Sequence, residues 1–375
     1  MEERTAALTA PKPEGLPVCQ DDTGRQGYKV RLACVTAATP FFVMSGNDPQ
    51  IFELIGKFDN LQRIEIRSGV MTDLHFLADY PELESLKLID VRVADYSAIA
   101  ALGNLQDAWL YDTDFSDVSL FANARNMKTF GISGGPATDI SALANMTALK
   151  GLSLDNLAID DLSPLSGMTS LKKLSLHGAQ MPDGDFDALR GLVNLNSLGL
   201  TASNFQDATV LQDMSDLWTL MLYQSDISDV SGLSGLTNLG QLNLDSTRVE
   251  DISALSTLTK LWFLEIDRTR IADISALAGM ELLQTLDMRE TRITDISALA
   301  GKPKLHRLIM NNTGVSDLSR LAGATSLRTL EINNTQVRDV SPLVGLERLS
   351  VLRAVGTPVE NMDVLARLQI MELQQ

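Results

Sequence analysis

A single short motif recurs along most of this chain. The pattern apolar-x-x-apolar-x-apolar begins fourteen times from Leu61 to Leu349, and successive copies start 22 residues apart except for one interval of 24 residues. Side chains alternate across a strand, so the fourth and sixth motif positions share one face of a short strand. A unit this small cannot bury its own apolar face, whereas stacked copies form one continuous core. The repeat therefore predicts a solenoid.

A second pattern follows each strand. It is clearest as Thr-x-Val-x-Asp-Ile-Ser-Ala-Leu at 247–255, and it recurs in similar form at 269–277, 291–299 and 335–343. The remaining length of each repeat is too short for a full α-helix of about 10 residues. One or two 3₁₀ turns are therefore expected between consecutive strands.

These two patterns closely resemble the short leucine-rich repeats of bacterial internalins and of the regulatory subunit of nuclear protein phosphatase-1. The strand leucines and the Asp-Ile-Ser-Ala-Leu runs at 251–255, 273–277 and 295–299 carry the resemblance, which covers residues 39–365. It implies an α/β solenoid, a right-handed leucine-rich-repeat superhelix. The parallel concave β-sheet should have about 14–16 strands, and the convex segments should be short 3₁₀ or irregular. The resemblance also implies a recognition protein.

The ninth motif position departs from that family, in which Asn is common. Thr occupies it in six of the last seven complete repeats, and a Thr hydroxyl is predicted to bond the backbone of the neighbouring repeat with fewer donors than an amide. These residues are Thr247, Thr269, Thr291, Thr313, Thr335 and Thr357.

Aspartate accounts for most of the formal net charge of −17. It recurs once per repeat before the convex turn, where a carboxylate can accept backbone N–H groups as an N-cap. Setting those thirteen residues aside leaves 35 acidic against 31 basic residues, a balance of −4. The acidity argues against a nucleic-acid partner, because nucleic-acid binding requires basic stripes. The thirteen are Asp73, Asp95, Asp117, Asp139, Asp161, Asp185, Asp207, Asp229, Asp251, Asp273, Asp295, Asp317 and Asp339.

The composition predicts a folded chain without a membrane span. Hydrophobic residues make up 45% and charged residues 21%, and no apolar run reaches 18 residues. Residues 1–15 lack the apolar core of a signal peptide.

The two cysteines, Cys19 and Cys34, are either buried spectator thiols or a disulfide. A disulfide would indicate a secreted or periplasmic protein, and free thiols a cytoplasmic one.

The repeats divide the chain. Phe42 and Met44 lie 22 residues before Ile64 and Ile66, which predicts a degenerate repeat ahead of the first regular one. The Pro-Asp-Gly turn within 181–185 adds the two extra residues of the long repeat and predicts a local bulge. The expected segments are a disordered lead (1–15), an amino-terminal cap with the degenerate repeat (16–50), leucine-rich repeats (51–358) and a carboxyl-terminal degenerate repeat or cap (359–375).

The third, fifth and seventh motif positions are predicted to line the concave face. Each repeat contributes one strand to this face. Two of these strands present aromatic side chains, and the four strands between them present mostly Gly, Ser and Thr, which predicts a trough with two walls. An acidic cluster follows further along the chain. Alternatively, the aromatic side chains only pack against neighbouring strands. The predicted partner-binding residues are Trp109, Tyr111, Met221, Tyr223, Asp245, Phe263, Glu265, Asp267 and Asp287.

The sequence contains only weak patterns for a catalytic site or a metal-binding site. Gly131 to Gly135 matches G-x-S-x-G, and Ser133, Asp155 and His177 occupy the seventh position of successive repeats. A catalytic triad needs His between Ser and Asp, whereas Asp lies in the middle here. No Cys/His spacing indicates zinc, so neither a metal nor a cofactor is predicted. The alternatives are a divalent ion in the acidic cluster and calcium bound along the recurring aspartates.

The sequence thus predicts a non-enzymatic, monomeric scaffold for protein–protein recognition on the concave face. One alternative is a regulatory subunit that holds and modulates an enzyme. Another is a peptide-binding or glycan-binding protein, or a bacterial adhesin or effector. The sequence does not identify the partner.

Overall fold

Parallel strands stack in chain order along the molecule. The computed structural model describes residues 41–45, 60–366, 368 and 372–374. Within them, sixteen strands form one sheet in which each strand pairs with its sequence neighbours. Equivalent residues face each other in this sheet, as Leu242 faces Leu264 and Leu264 faces Leu286. The predicted solenoid with a parallel sheet is confirmed.

The strands are longest at the amino-terminal end and mostly three residues long from β7 onward. Their bounds are β1 Phe41–Ser45, β2 Arg63–Met71, β3 Ser85–Val93, β4 Asp107–Tyr111, β5 Thr129–Ser133, β6 Gly151–Asp155, β7 Lys173–Ser175, β8 Ser197–Gly199, β9 Thr219–Met221, β10 Gln241–Asn243, β11 Phe263–Glu265, β12 Thr285–Asp287, β13 Arg307–Ile309, β14 Thr329–Glu331, β15 Val351–Arg353 and β16 Glu372–Gln374.

Short 3₁₀ helices link the strands, as predicted. Of the thirteen recurring aspartates, Asp117 and Asp207 are N-cap residues, whereas the other eleven lie one residue before the N-cap, as Asp251 precedes Ile252. Each of these carboxylates accepts the backbone N–H of the residue two positions later, as Asp251 does from Ser253 at 2.7 Å. The helices are His75–Asp79, Ser97–Ala101, Val118–Phe121, Ser141–Asn145, Ser163–Leu165, Pro182–Gly184, Asp187–Gly191, Ala208–Leu211, Ser231–Leu233, Ser253–Thr257, Ser275–Gly279, Ser297–Leu299, Ser319–Leu321, Ser341–Leu343 and Met362–Leu365.

The core runs continuously between the sheet and the 3₁₀ helices. Side chains at the first, fourth and sixth motif positions are buried in every regular repeat. Four aromatic rings thicken this core beneath β4 and β5, where Phe121 contacts Phe115 and Phe130 with ring centroids 5.6 and 5.0 Å apart. Tyr96 extends the row, with its centroid 5.2 Å from that of Phe115.

The eighth motif position of each regular repeat has a left-handed backbone conformation. Non-glycine residues with positive φ, such as Arg268 at 52°, occupy this position in most repeats. The ninth-position Thr closes the turn within its own repeat, since the Thr269 hydroxyl donates to the Ile266 carbonyl at 2.7 Å. Four other threonines repeat this bond. The predicted bond to the neighbouring repeat occurs at Thr357, whose hydroxyl donates to Ile332.

The long repeat keeps its register. Its extra residues form the 3₁₀ turn Pro182–Gly184, in which Asp183 and Gly184 have positive φ of 52° and 68°. The pairing of Lys173 with Ser197 spans 24 residues, after which the step of 22 resumes.

At the amino-terminal end of the sheet, Phe42 pairs with Ile64 and Met44 with Ile66. At the other end β16 pairs with β15, and Leu365 is buried at 4% exposure. Cys19, Cys34 and the 1–15 lead lie outside the described residues. Among the described residues no helix is long and apolar enough to cross a membrane.

Candidate functional site

The open face of the sheet carries the residues that the sequence predicts for partner binding. Along β4 the odd motif positions are half-buried and the even positions are buried, which is the alternation expected of a sheet with one covered face. The third, fifth and seventh motif positions of each repeat define this open face. Trp109 and Tyr111 lie on it in β4, Met221 lies on it in β9, and Tyr223 follows two residues after β9 ends.

The Trp109–Tyr111 wall is a packed pair of rings. Their centroids lie 5.8 Å apart with an interplanar angle of 11°, and the Lys87 ammonium lies 5.8 Å from the Tyr111 centroid. The indole covers Gly131 on the next strand, where an added Cβ would overlap the ring. Burial, followed by the charge of Asp155, raises the pKa of Tyr111 to about 12. Both side chains therefore present a fixed, half-buried apolar surface.

Four strands, β5 to β8, separate this wall from the Met221–Tyr223 wall on β9. We call the open face of these four strands the trough; its walls lie about 24 Å apart, five strand spacings. Its floor holds a hydrogen-bonded polar network. The Asp155 carboxylate accepts the Ser153 and Ser175 hydroxyls, each at 2.6 Å, and the His177 backbone N–H at 2.9 Å.

That network engages Asp155 and His177 in contacts other than those of a catalytic triad. The His177 Nδ1 atom lies 2.5 Å from the Thr201 hydroxyl, while Asp155 accepts from other groups. Asp155 lies between Ser133 and His177, the order that argues against a catalytic triad. The floor is suited to polar contact with a partner.

The predicted acidic cluster contains arginines, which sequence analysis did not include. Asp267 and Asp287 are 3% and 1% exposed, and the Arg289 guanidinium bonds Asp287 and lies 3.6 Å from Asp267. Arg268 reaches Asp267 at 3.2 Å and both oxygens of Asp245 at 2.9 and 2.7 Å. The cluster is therefore a largely neutralised ion-pair network. Arg289 is itself at the seventh motif position, one of the positions predicted to line the concave face, and this was the available signal that a basic residue joins the cluster.

Two other members of the predicted set stay partly accessible. The Glu265 carboxylate accepts the Asn243 amide at 2.6 Å, and Phe263 contacts Trp262 edge to face with centroids 5.9 Å apart. No group of three His, Cys, Asp or Glu side chains within the described part of the chain is arranged to hold a metal ion.

Asp267 makes the stability of this network depend on pH. Burial first, then the charges of Asp287 and Asp245, raises its pKa to about 7, although Arg268 and Arg289 oppose the rise. The folded state therefore holds a proton that the unfolded chain releases near pH 4. Wild-type stability is expected to fall as pH rises from about 5 to about 8, and Asp267→Asn should flatten that slope in chemical denaturation.

Asp251→Asn is the matched control for this measurement. The backbone N–H of Ser253 lowers the pKa of Asp251, so its contribution is lost only as pH falls below about 4. Its slope between about pH 5 and pH 8 should match the wild-type slope. Equal slopes for wild type and Asp267→Asn would contradict the assignment.

Sequence analysis missed a second set of residues at the second motif position, just before each strand. Lys128, Lys150 and Lys172 precede β5, β6 and β7, and Trp218 and Trp262 precede β9 and β11. Trp218 is 45% exposed. It lines a depression of about 620 Å³ with Lys173, Asn196, Ser197, Asp216, Thr219 and Asn238. The available signal was the recurrence of lysine at 22-residue spacing at this position.

The fold and this open face define an internalin-like leucine-rich-repeat solenoid. The chain is similar to an internalin from Listeria monocytogenes, with 26% identity, a TM-score of 0.72 and coverage of 80% of this chain and 88% of that chain. A leucine-rich-repeat protein from Leptospira interrogans has 18% identity, a TM-score of 0.75 and coverage of 88% and 89%.

A TLR13–ssRNA13 complex also shares the fold, with 18% identity and a TM-score of 0.63. This comparison covers 84% of this chain but only 54% of that one. No protein-family model matches the sequence. No curated protein matches it either.

Proposed function

We propose that this chain is a non-enzymatic recognition protein that binds another protein on the open face of its sheet. The observation that carries the proposal is the trough, in which the stacked Trp109–Tyr111 pair on one side and Met221 with Tyr223 on the other flank a floor of mostly small polar side chains. Trp and Tyr are the residues most often found to dominate binding energy at protein interfaces. A floor whose hydrogen bonds are already made costs little ordering when a partner docks.

Large side chains at the two walls with small polar side chains between them favour partner binding over the alternative, in which the aromatic side chains only pack against neighbouring strands. Trp109 lies across Gly131, so its outer ring face remains available to a partner while its inner face is supported. The internalin-like fold is consistent with recognition, although fold alone does not determine function. The contacts of Asp155 and His177 support a role without catalysis. The net charge of −17 favours a protein over a nucleic acid.

The double variant Trp109→Ala/Tyr223→Ala tests the site. It removes one anchor from each wall, and capture of the partner is expected to weaken at least about tenfold. The measurement is affinity capture with wild-type and variant protein as bait, followed by quantitative mass spectrometry of the retained proteins.

The matched control is Val193→Ser/Val344→Ser, which alters two exposed apolar residues, 39% and 43% accessible, away from the open face. It should capture the same proteins as wild type. Circular dichroism should show all three chains folded to the same extent. Undiminished capture by Trp109→Ala/Tyr223→Ala would refute the proposed site. Recovery of a catalytic subunit would favour a regulatory role over adhesion.

A further inference from the structure

A row of lysines borders the trough at its amino-terminal edge. Lys128, Lys150 and Lys172 occupy the same motif position in three successive repeats, and Lys173 follows directly. The backbone N–H of Lys150 donates to the Lys128 carbonyl at 2.8 Å, and that of Lys172 donates to Lys150 at 2.9 Å. The side chains therefore leave the backbone about 4.8 Å apart. We call these four residues the lysine ridge.

The lysine ridge is not neutralised within the described residues. None of its ammonium groups forms an ion pair there, and Lys128 donates to the neutral side chain of Gln106. It holds four of the eleven lysines in a chain of net charge −17. Like charges at this spacing repel one another, so the row opposes folding to a small degree. Such a row suits an anionic partner.

The Trp218 depression continues the same edge. The backbone ladder runs on from Lys172 to Asn196 and Trp218 with N–H to carbonyl distances of 2.8 and 2.9 Å. One face of the Trp218 ring covers Gly240, where an added Cβ would lie 2.7 Å from the indole. Lys173 belongs both to the ridge and to the depression. Positive charge and an exposed aromatic surface are therefore contiguous.

From this juxtaposition we infer that the ridge and depression receive an acidic segment of the partner protein. Its carboxylates lie along the lysine ridge, and one apolar side chain of the segment enters the depression against Trp218. The inference rests on the proposed function, because it names the chemistry of the partner at the same face. Complementary charge would speed docking and fix its register, while the aromatic anchor would supply binding energy.

Other polyanions fit less well. A glycan needs free hydrogen-bonding groups around the aromatic ring, yet the amide of Asn196 donates to Asp216 at 3.0 Å and that of Asn238 donates to Ser215 at 2.9 Å. The Asn238 side-chain oxygen also accepts Lys260 at 2.5 Å. Asp216 adds a negative charge to the depression, and a phosphate backbone would bring a charge to it with every nucleotide. An acidic peptide can place its uncharged apolar side chain beside Asp216 and keep its carboxylates along the lysine ridge.

The test uses defined probes and fluorescence anisotropy. The first probe is a fluorescein-labelled peptide of Glu and Asp with one central Leu, and the second replaces every acid by its amide. The acidic probe should bind at least about tenfold more tightly than the amide probe, and its affinity should fall between about 50 and about 300 mM salt. Trp218→Ala should weaken the acidic Leu probe but not the same peptide with Gly in place of Leu.

Lys128→Glu/Lys150→Glu/Lys172→Glu should weaken the acidic probe about tenfold or more. The matched control Lys304→Glu/Arg320→Glu/Arg348→Glu makes the same change in net charge at exposed positions on other repeats. It should retain most of the affinity. Equal weakening by both triple variants, or no binding of the acidic probe, overturns the inference. Tighter binding of heparin or single-stranded polyuridine than of the acidic probe also overturns it.

Affinity capture separates this inference from the proposed function. If Trp109→Ala/Tyr223→Ala abolishes capture while the ridge variant captures normally, the acidic segment is refuted and the recognition site stands. If neither variant changes capture, both are refuted. Circular dichroism of each variant establishes that a loss of binding is not a loss of fold.

Discussion

Replacing Phe130 with alanine is expected to lower the free energy of unfolding by about 3–5 kcal/mol. The ring is fully buried beneath β5, and its centroid lies 5.0 Å from that of Phe121. The strands on both sides are held by backbone pairing, so the repeat cannot collapse to fill the cavity. Urea denaturation followed by far-ultraviolet circular dichroism measures the change.

Phe263→Ala is the control, because this ring lies half-exposed on the open face of β11. Its cost should be about 1 kcal/mol or less. Hydrogen exchange adds a local readout, since each repeat contacts mainly its neighbours. Loss of amide protection in the Phe130 variant should concentrate in β4 to β6. Similar losses of stability for the two variants would contradict the packing described for the aromatic row.

The period of the sequence was sufficient to predict the scaffold. Burial recurs every 22 residues because each repeat contributes the same positions to one core, so Leu242 and Leu264 had to face each other. The aspartates predicted the 3₁₀ turns for a similar reason, since a carboxylate that accepts the N–H two residues later needs only local geometry, although most of them lie one residue before the predicted N-cap position. Such features depend on positions within one repeat, which a sequence shows directly.

The open face was predictable only as columns of outward positions. Whether Trp109 stands free or lies across Gly131 depends on the side chain one strand away and on its volume. The burial of Asp267 likewise depends on Arg268 in the left-handed turn and Arg289 on the next strand. These are contacts between repeats, and a motif read within one repeat does not contain them.

The ninth-position threonines show the reverse case, in which a contact predicted between repeats is made within one repeat. The sequence predicted a hydroxyl bond to the neighbouring repeat, whereas Thr269 bonds the carbonyl three residues earlier. A hydroxyl on a short side chain reaches its own turn more easily than the next strand, which an Asn amide can span. The lysine ridge begins at the second motif position, one of the variable positions of the repeat, so the apolar pattern does not reveal it.

One residue breaks the apolar pattern of the core. Lys302 occupies the position filled by Met280 and Ala324 in the adjacent repeats, and it is only 2% exposed. Its ammonium donates to the Ala278 carbonyl at 2.5 Å, and burial lowers its pKa. A buried cation whose hydrogen bond goes to a neutral carbonyl loses most of its hydration, and the charge of Glu281 offsets only part of the effect of burial on its pKa. Lys302 is therefore a destabilising residue in a position built for an apolar side chain.

Lys302→Met is expected to raise the free energy of unfolding by about 1–4 kcal/mol, because methionine fills similar volume without a charge to desolvate. Lys304→Met, at an exposed position two residues later, should change it by about 0.5 kcal/mol or less. The sign of the pH effect is fixed as well. The folded state releases the Lys302 proton at lower pH than the unfolded chain, so the stability of the wild type rises with pH. The difference in free energy of unfolding between Lys302→Met and wild type should therefore shrink from about pH 7 to about pH 10. Thermal and urea unfolding of the three chains at both pH values measure this, and a destabilised Lys302→Met would show that the lysine contributes to the fold instead.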